Sequence, residues 1–466
     1  MVAGSVRPVL STGYLSCALT LVVVAAFLAR DARSETTPEP AANTLAPPDA
    51  GTGTGTTTDT AEREQKLRRG VNAALAQGLY PIARAGAEEL IRSIEQRAGL
   101  NSPELLAPLA NLASACLELG DADSANESVQ RALALQDGSI GEATRVSLLM
   151  IAGRAATAYG EGLRARLLLE EALLIVERGK PRDRLTEAHI YELMLDSLSA
   201  TSRESAPSID HIEVLGNRYA GKLEGILKEV FDKDPGGLGM GLPVVADWYI
   251  RSGKVERARR LLTRSVELLE QAYGPNDQRL SPSLRALAQC AFREHMHGAD
   301  AIRVLTRAAA LLADGSVPST YEQAEALAML GDTQVVFADP NEGTGYYKKA
   351  WEALAGQTQI GPAGANQFFA RPLSLYVSLS APIAQRNGHQ DVTTKLRIEF
   401  IVTATGLVEQ PRTVQKEGAT LTTWASSLRS SSTRWRYRPR VVDGAPVETI
   451  GETVDWDFNE YQPALL

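Results

Sequence analysis

The stretch ANLASACLELGDADSANESVQRALAL, residues 110 to 135, decides the fold. Leu112, Ala113 and Cys116 fall on one face of a first helix, Gly120 marks a turn, and Ala125, Val129 and Ala132 line a second helix. Residues three and four apart share a helix face, so this spacing predicts two amphipathic helices joined tightly. Small side chains on the facing stripes let such a pair pack closely.

The same frame recurs along the chain. It returns with Gly153, Gly160, Ala165, Leu169 and Ala172, then with Ala246, Tyr249, Gly253, Ala258 and Leu262. Looser copies carry Ala288, Ala301, Leu305 and Ala308, and then Leu330, Gly331, Tyr347 and Ala350. A degenerate first unit surrounds Gly78 and Ala83. Turns near 120, 160, 253, 297 and 339 are mostly about 40 residues apart, a period that belongs to stacked supersecondary units. An unrelated helical bundle of similar composition would not need small residues at the same offsets. The array resembles the tetratricopeptide repeat, in its long-helix variety. That resemblance implies an α-helical solenoid over residues 61 to 356, with a groove formed by the first helices. Groove-facing candidates are Ser114, Glu118, Arg154, Asp247 and Arg251. Residues 180 to 236 break the pattern, with Pro207, Pro235 and the GGLGMG run interrupting it.

Towards the amino terminus, residues 14 to 29 (YLSCALTLVVVAAFLA) form an apolar run behind Arg7 and ahead of RDARSE, which is an export signal in form. Its length lies between a signal and a comfortable membrane span, so a cleaved signal peptide and a retained inner-membrane anchor over residues 1 to 33 both stay open. Residues 34 to 60 are rich in Pro, Gly and Thr and read as a disordered linker. Of the three cysteines, Cys116 and Cys290 lie on apolar helical faces and read as small buried hydrophobes.

Beyond residue 356 the period changes. KLRIEFIV places Leu396, Ile398, Phe400 and Val402 on one face of a strand. Thr405-Gly406 supplies a turn, a second apolar segment starts at Val408, and Leu421, Trp424 and Leu428 suit a short helix. RWRYRPR then packs four arginines and two aromatics into residues 434 to 440, ahead of an Asp443-Gly444 turn. The closing strand runs through Val447, Ile450, Val454, Trp456 and Phe458, with one irregularity near Gly451 needed to hold a single face. Strand, helix, strand, turn and strand make a small α+β domain over 380 to 466.

This order of motifs resembles the C-terminal domain of the TonB family. The matching residues are FIVTATGLV, Trp424, Trp435 to Pro439, Gly444 to Val447 and Trp456 to Phe458. The resemblance implies capture of an extended peptide of an outer-membrane receptor by strand addition, with the strand from Val447 to Phe458 as the candidate edge. Asp247 and Arg251 are the alternative contact, on a repeat scaffold of a periplasmic complex in which the terminal domain is accessory. Energy transduction lacks support, because residues 14 to 29 contain no His and the linker only four Pro.

Composition argues against several other classes. A net charge of −8 gives no polycationic field, and residues 380 to 466 hold ten basic and ten acidic residues, so the arginines near 436 do not read as a nucleic-acid patch. In an extended run Trp435 and Tyr437 share one face and Arg434, Arg436 and Arg438 the other, paired with acids across the sheet. His295 and His297 are two residues apart on a helix and point to different sides, and no other His has companion ligands nearby. No catalytic signature, cofactor motif or metal site is present. The sequence reads as a periplasmic, non-enzymatic interaction protein with protein or peptide partners.

Overall fold

The computed structural model describes residues 57–135, 141–200, 209–294, 298–312, 317–357, 360–376, 394–417 and 430–458. The export-like run, the candidate helix around Trp424, and His295, His297 and His389 lie outside them. The chain divides into two compact units at Trp248 and Tyr249.

The first unit contains the helical hairpins α1 (Thr57–Ala76) with α2 (Tyr80–Ala98), α3 (Leu106–Glu118) with α4 (Ala122–Ala134), α5 (Glu142–Ala158) with α6 (Gly162–Arg178), and α7 (Arg184–Ser197) with α8 (Ile209–Val230). One turn chemistry closes the first three. At Gly78, Gly120 and Gly160 the backbone is left-handed, at φ of 71°, 75° and 88°. The glycine N–H bonds a carbonyl three residues back, and the next N–H bonds one five back, as in Asp121 to Cys116 at 2.9 Å and Glu161 to Ala156 at 2.8 Å. This is the Schellman arrangement, in which a residue without a Cβ satisfies the last orphan carbonyls and reverses the chain. The expected faces are buried: Ala113, Cys116, Ala125, Val129 and Ala132 are all sealed from solvent.

Two expectations need correction here. Helix α1 begins at Thr57, inside the stretch read as linker, because Glu64 and Leu67 give the sequence an inward face as soon as the Thr/Gly run ends. The GGLGMG run does not interrupt the array but lies within α9 (Pro235–Arg251). A Cβ at Gly237 would sit 2.3 Å from Phe231 and one at Gly241 2.8 Å from Leu227, so these glycines let α8 and α9 approach.

The second unit continues with α10 (Val255–Tyr273), α11 (Ser281–Glu294), α12 (Gly298–Leu311), α13 (Val317–Phe337), α14 (Pro340–Ala355) and the short α15 (Gly361–Phe368). Strands follow: β1 (Leu373–Tyr376), β2 (Thr394–Val402), β3 (Val408–Glu417), β4 (Arg436–Arg438), β5 (Arg440–Val442), β6 (Ala445–Val447) and β7 (Thr449–Phe458). They form an antiparallel sheet in the order β3-β2-β7 and two small ribbons, β1-β4 and β5-β6. Strand structure therefore begins at Leu373, upstream of the boundary placed at 380. Its run of four residues, LSLY, is too short to mark a strand by its pattern alone, and its pairing with β4 supplies the order. Cys116 and Cys290 are each buried, as read, and neither takes part in a disulfide. Among the described residues no helix is long and apolar enough to cross a membrane.

Candidate functional site

The three-stranded sheet is built on the alternation read in β2. Ile398, Phe400 and Val402 are buried with Val408, Trp435 and Tyr437 in one cluster. Phe400 meets Trp435 edge-on at 5.7 Å and Tyr437 at 5.4 Å between ring centroids, the offset geometries aromatic pairs prefer. The inward placement of Trp435 and Tyr437 thus follows from sequence.

Arg438 departs from the pairing across the sheet expected for it. Arg438 is 6% exposed and reaches helix α13: its Nε donates to Asp332 Oδ1 at 2.9 Å and its Nη2 to Asp332 Oδ2 at 2.6 Å. Glu325 lies 3.4 Å from the same guanidinium, and the Tyr347 hydroxyl donates to Asp332 Oδ1 at 3.0 Å. Burial by itself would favour loss of the Arg438 proton, but the facing carboxylates more than offset this and hold the guanidinium charged. Burial and the Asp332 charge likewise push the Tyr347 phenol well above its ordinary value, keeping it a donor. A bidentate guanidinium–carboxylate pair fixes orientation as well as distance.

Further contacts reinforce that junction. Val441 of β5 joins Ala324, Ala328, Tyr347, Ala350 and Leu354 in a second core. The Asp443 N–H donates to Asn366 Oδ1 at 2.9 Å, the Asn366 amide returns a bond to Asp443 at 3.0 Å, and Trp351 Nε1 donates to Asn366 Oδ1 at 2.7 Å. At Gly406 a Cβ would lie 2.1 Å from the Tyr437 carbonyl oxygen and 3.1 Å from Val335. The strand region is thus a packed continuation of α13, α14 and α15 rather than a separately tethered module. Asp332, Glu325 and Tyr347 were not among the residues singled out from sequence. The available signal was a lone carboxylate, Asp332, inside the apolar run LAMLGDTQVVF.

The candidate edge is split. Val447 belongs to β6, where it pairs with Arg440, while Ile450, Val454, Trp456 and Phe458 belong to β7. The irregularity expected near Gly451 is present: Phe400 pairs with Glu452 but Ile401 with Ile450, and Gly451 has φ of 82°. Its effect is the reverse of the expected one. The extra residue turns Ile450 out of the core face, where it is 73% exposed, and gives its place opposite Phe400 to Glu452. Val454 stays against the core, opposite Ile398. From Glu452 to Phe458 the register with β2 is uninterrupted. Among the described residues no strand pairs with the other side of β7.

Strand β3, the other edge, is broken. Gln410 has φ of 49°, Pro411 follows it, and the register with β2 slips twice. Proline and bulges are the usual means by which a sheet edge is closed to further pairing.

On the helical array, Glu118 of α3 and Arg154 of α5 form an ion pair at 2.6 Å, so the structure joins two of the groove candidates across neighbouring hairpins. Ser114 turns its hydroxyl back to the Ala110 carbonyl at 3.0 Å. Asp247 and Arg251 lie one turn apart on α9, each half-buried, and belong to different units. His189 meets Glu192 at 3.0 Å in the core, and no metal-holding cluster occurs among the described residues.

No family model and no curated protein matches the sequence. Solved structures similar to it are helical repeat proteins. The apo form of RapI is 12% identical, with 64% of this chain and 77% of that one covered at a TM-score of 0.43. A Rap protein complexed with Competence and Sporulation Factor is also 12% identical, covering 67% and 81% at 0.41. A Podosopora anserina putative kinesin light chain with TPR-like repeats is 16% identical, covering 46% and 97% at 0.36. Such scores describe partial superposition, and the tetratricopeptide-like array stands on its own hairpins, turn glycines and buried small residues.

Proposed function

We propose that this chain is a non-enzymatic interaction protein of the cell envelope, and that β7 captures an extended peptide of a partner by strand addition, as the TonB-like motif order implies. One observation carries the reading: of the two outer strands of the sheet, β3 is interrupted and β7 is regular from Glu452 to Phe458. An unpaired regular strand offers a row of backbone donors and acceptors, and added strands gain affinity from those bonds. The apolar run at 14 to 29 supports export, as cleaved signal or inner-membrane anchor, and an outer-membrane receptor is the partner class the motif implies.

A second reading is favoured by the Arg438 junction. There the strand region covers the last helical hairpin, as a terminal cap does in a solenoid, and the partner surface is the array itself. Photo-crosslinkers at the exposed Thr453 of β7 and at Glu118 of the array, in the full-length chain in intact cells, separate the two. Partner adducts from Thr453 support strand addition. Adducts from Glu118 alone support the scaffold.

A further inference from the structure

In the first unit, a cavity of about 320 Å³ opens between α6 and α8, closed at one end by Leu198 and Ala200 after α7. Its wall is mostly aliphatic. Leu163 and Leu167 of α6 stand 59% exposed at its mouth, a cost a surface helix does not ordinarily carry one turn after another. Ile212 and Leu215 of α8 face them.

Into this mostly apolar wall the fold places a buried guanidinium, that of Arg166, while the exposed His211 of α8 stands at the edge of the same lining. Arg166 is only 9% exposed, lines the cavity, and has no hydrogen bond or ion pair among the described residues. Arg438, the other strongly buried arginine described above, has carboxylate partners, and a desolvated guanidinium without an anion is costly. Tyr219, 7% exposed, lines the same cavity and feels the Arg166 charge. Glu170 stands one turn beyond Arg166 at the exposed rim. Its charge disfavours a dianionic head such as a phosphate monoester and tolerates a monoanion.

We infer that this cavity binds a small aliphatic carboxylate, with the carboxylate on Arg166 and the chain among Leu163, Leu167 and Leu215. The size lies at the lower end of ligand pockets, which combine an apolar lining with few fixed polar groups. The site lies in the first unit and does not depend on the role of β7.

The test is calorimetric titration of the full chain with decanoate and with decanol. Decanoate should saturate below about 1 mM and bind about tenfold tighter than decanol, the margin of one charge-assisted contact. R166Q should erase that margin without weakening decanol, and R166K should keep part of it. L167D should remove both ligands, with circular dichroism confirming that each variant folds. Equal binding of the two ligands, an unchanged R166Q, or no saturation would overturn the inference. Saturable binding of an acidic leucine-rich peptide in place of decanoate would assign the cavity to a protein partner and overturn it as well.

Discussion

Strands β3 and β7 are the two outer strands of one sheet, paired to the same central strand, yet their edges differ in kind. Pro411, the left-handed Gln410 and two register slips break β3, while β7 has a single bulge at Gly451 and then runs regularly. Under the proposed strand addition, the edge left regular is the one able to accept a partner strand, and the blunted edge is not. The bulge contributes to the contrast. By turning Ile450 outward it places an exposed aliphatic residue at the start of the regular run.

The most severe way to break the comparison is to release the platform beneath both edges. D332A removes the bidentate carboxylate facing Arg438 and leaves its buried charge to the longer contact with Glu325 alone, which costs about 3 kcal/mol. The urea midpoint of the second unit should fall accordingly, and the double variant D332A/R438M should recover most of the loss. If D332A is as stable as the parent, the junction does not hold the sheet.

Proline separates the edges next. T453P should reduce partner capture by about tenfold or more, because proline within the regular run of β7 disrupts the backbone ladder that strand addition extends. V414P, at an exposed and already bulged position of β3, should leave capture unchanged. A smaller effect is expected at the bulge, where G451A forces an alanine to φ of 82° at a cost of about 1 kcal/mol. Denaturant unfolding reads this directly.

The smallest effect concerns pH. Burial raises the Glu452 carboxyl, against the pull of Arg371 and Arg440. The folded chain therefore holds this proton more tightly than the unfolded chain. The stability that comes with it is present below the unfolded carboxylate range and is lost as pH rises through the folded value. E452Q should match the parent near pH ~4 and melt slightly higher near pH ~7, where the parent must bury a charge. Thermal melts across that range check the sign.

What was legible in the sequence was local. Turn glycines, small-residue stripes and the alternation of β2 are written within a few residues of where they act, and even the bulge at Gly451 could be located. Its direction could not, since whether Ile450 or Glu452 faces Phe400 depends on the β2 register. The partner of Arg438 was hidden for a related reason. Asp332 lies 106 residues earlier on a helix, and a period-two pattern carries no information across that separation. Arg166 was passed over because an arginine on an amphipathic helix ordinarily snorkels to solvent, and only the structure shows it sealed within an apolar wall.

The central claim is that β7 is the partner-binding edge. A photo-crosslinker placed in turn at Thr453 and at Val414 of the full-length chain, in intact cells, tests it most directly. The account predicts a discrete partner adduct from Thr453, lost when Asp332→Ala detaches the sheet, and none from Val414. Adducts from Val414 with none from Thr453 would contradict it.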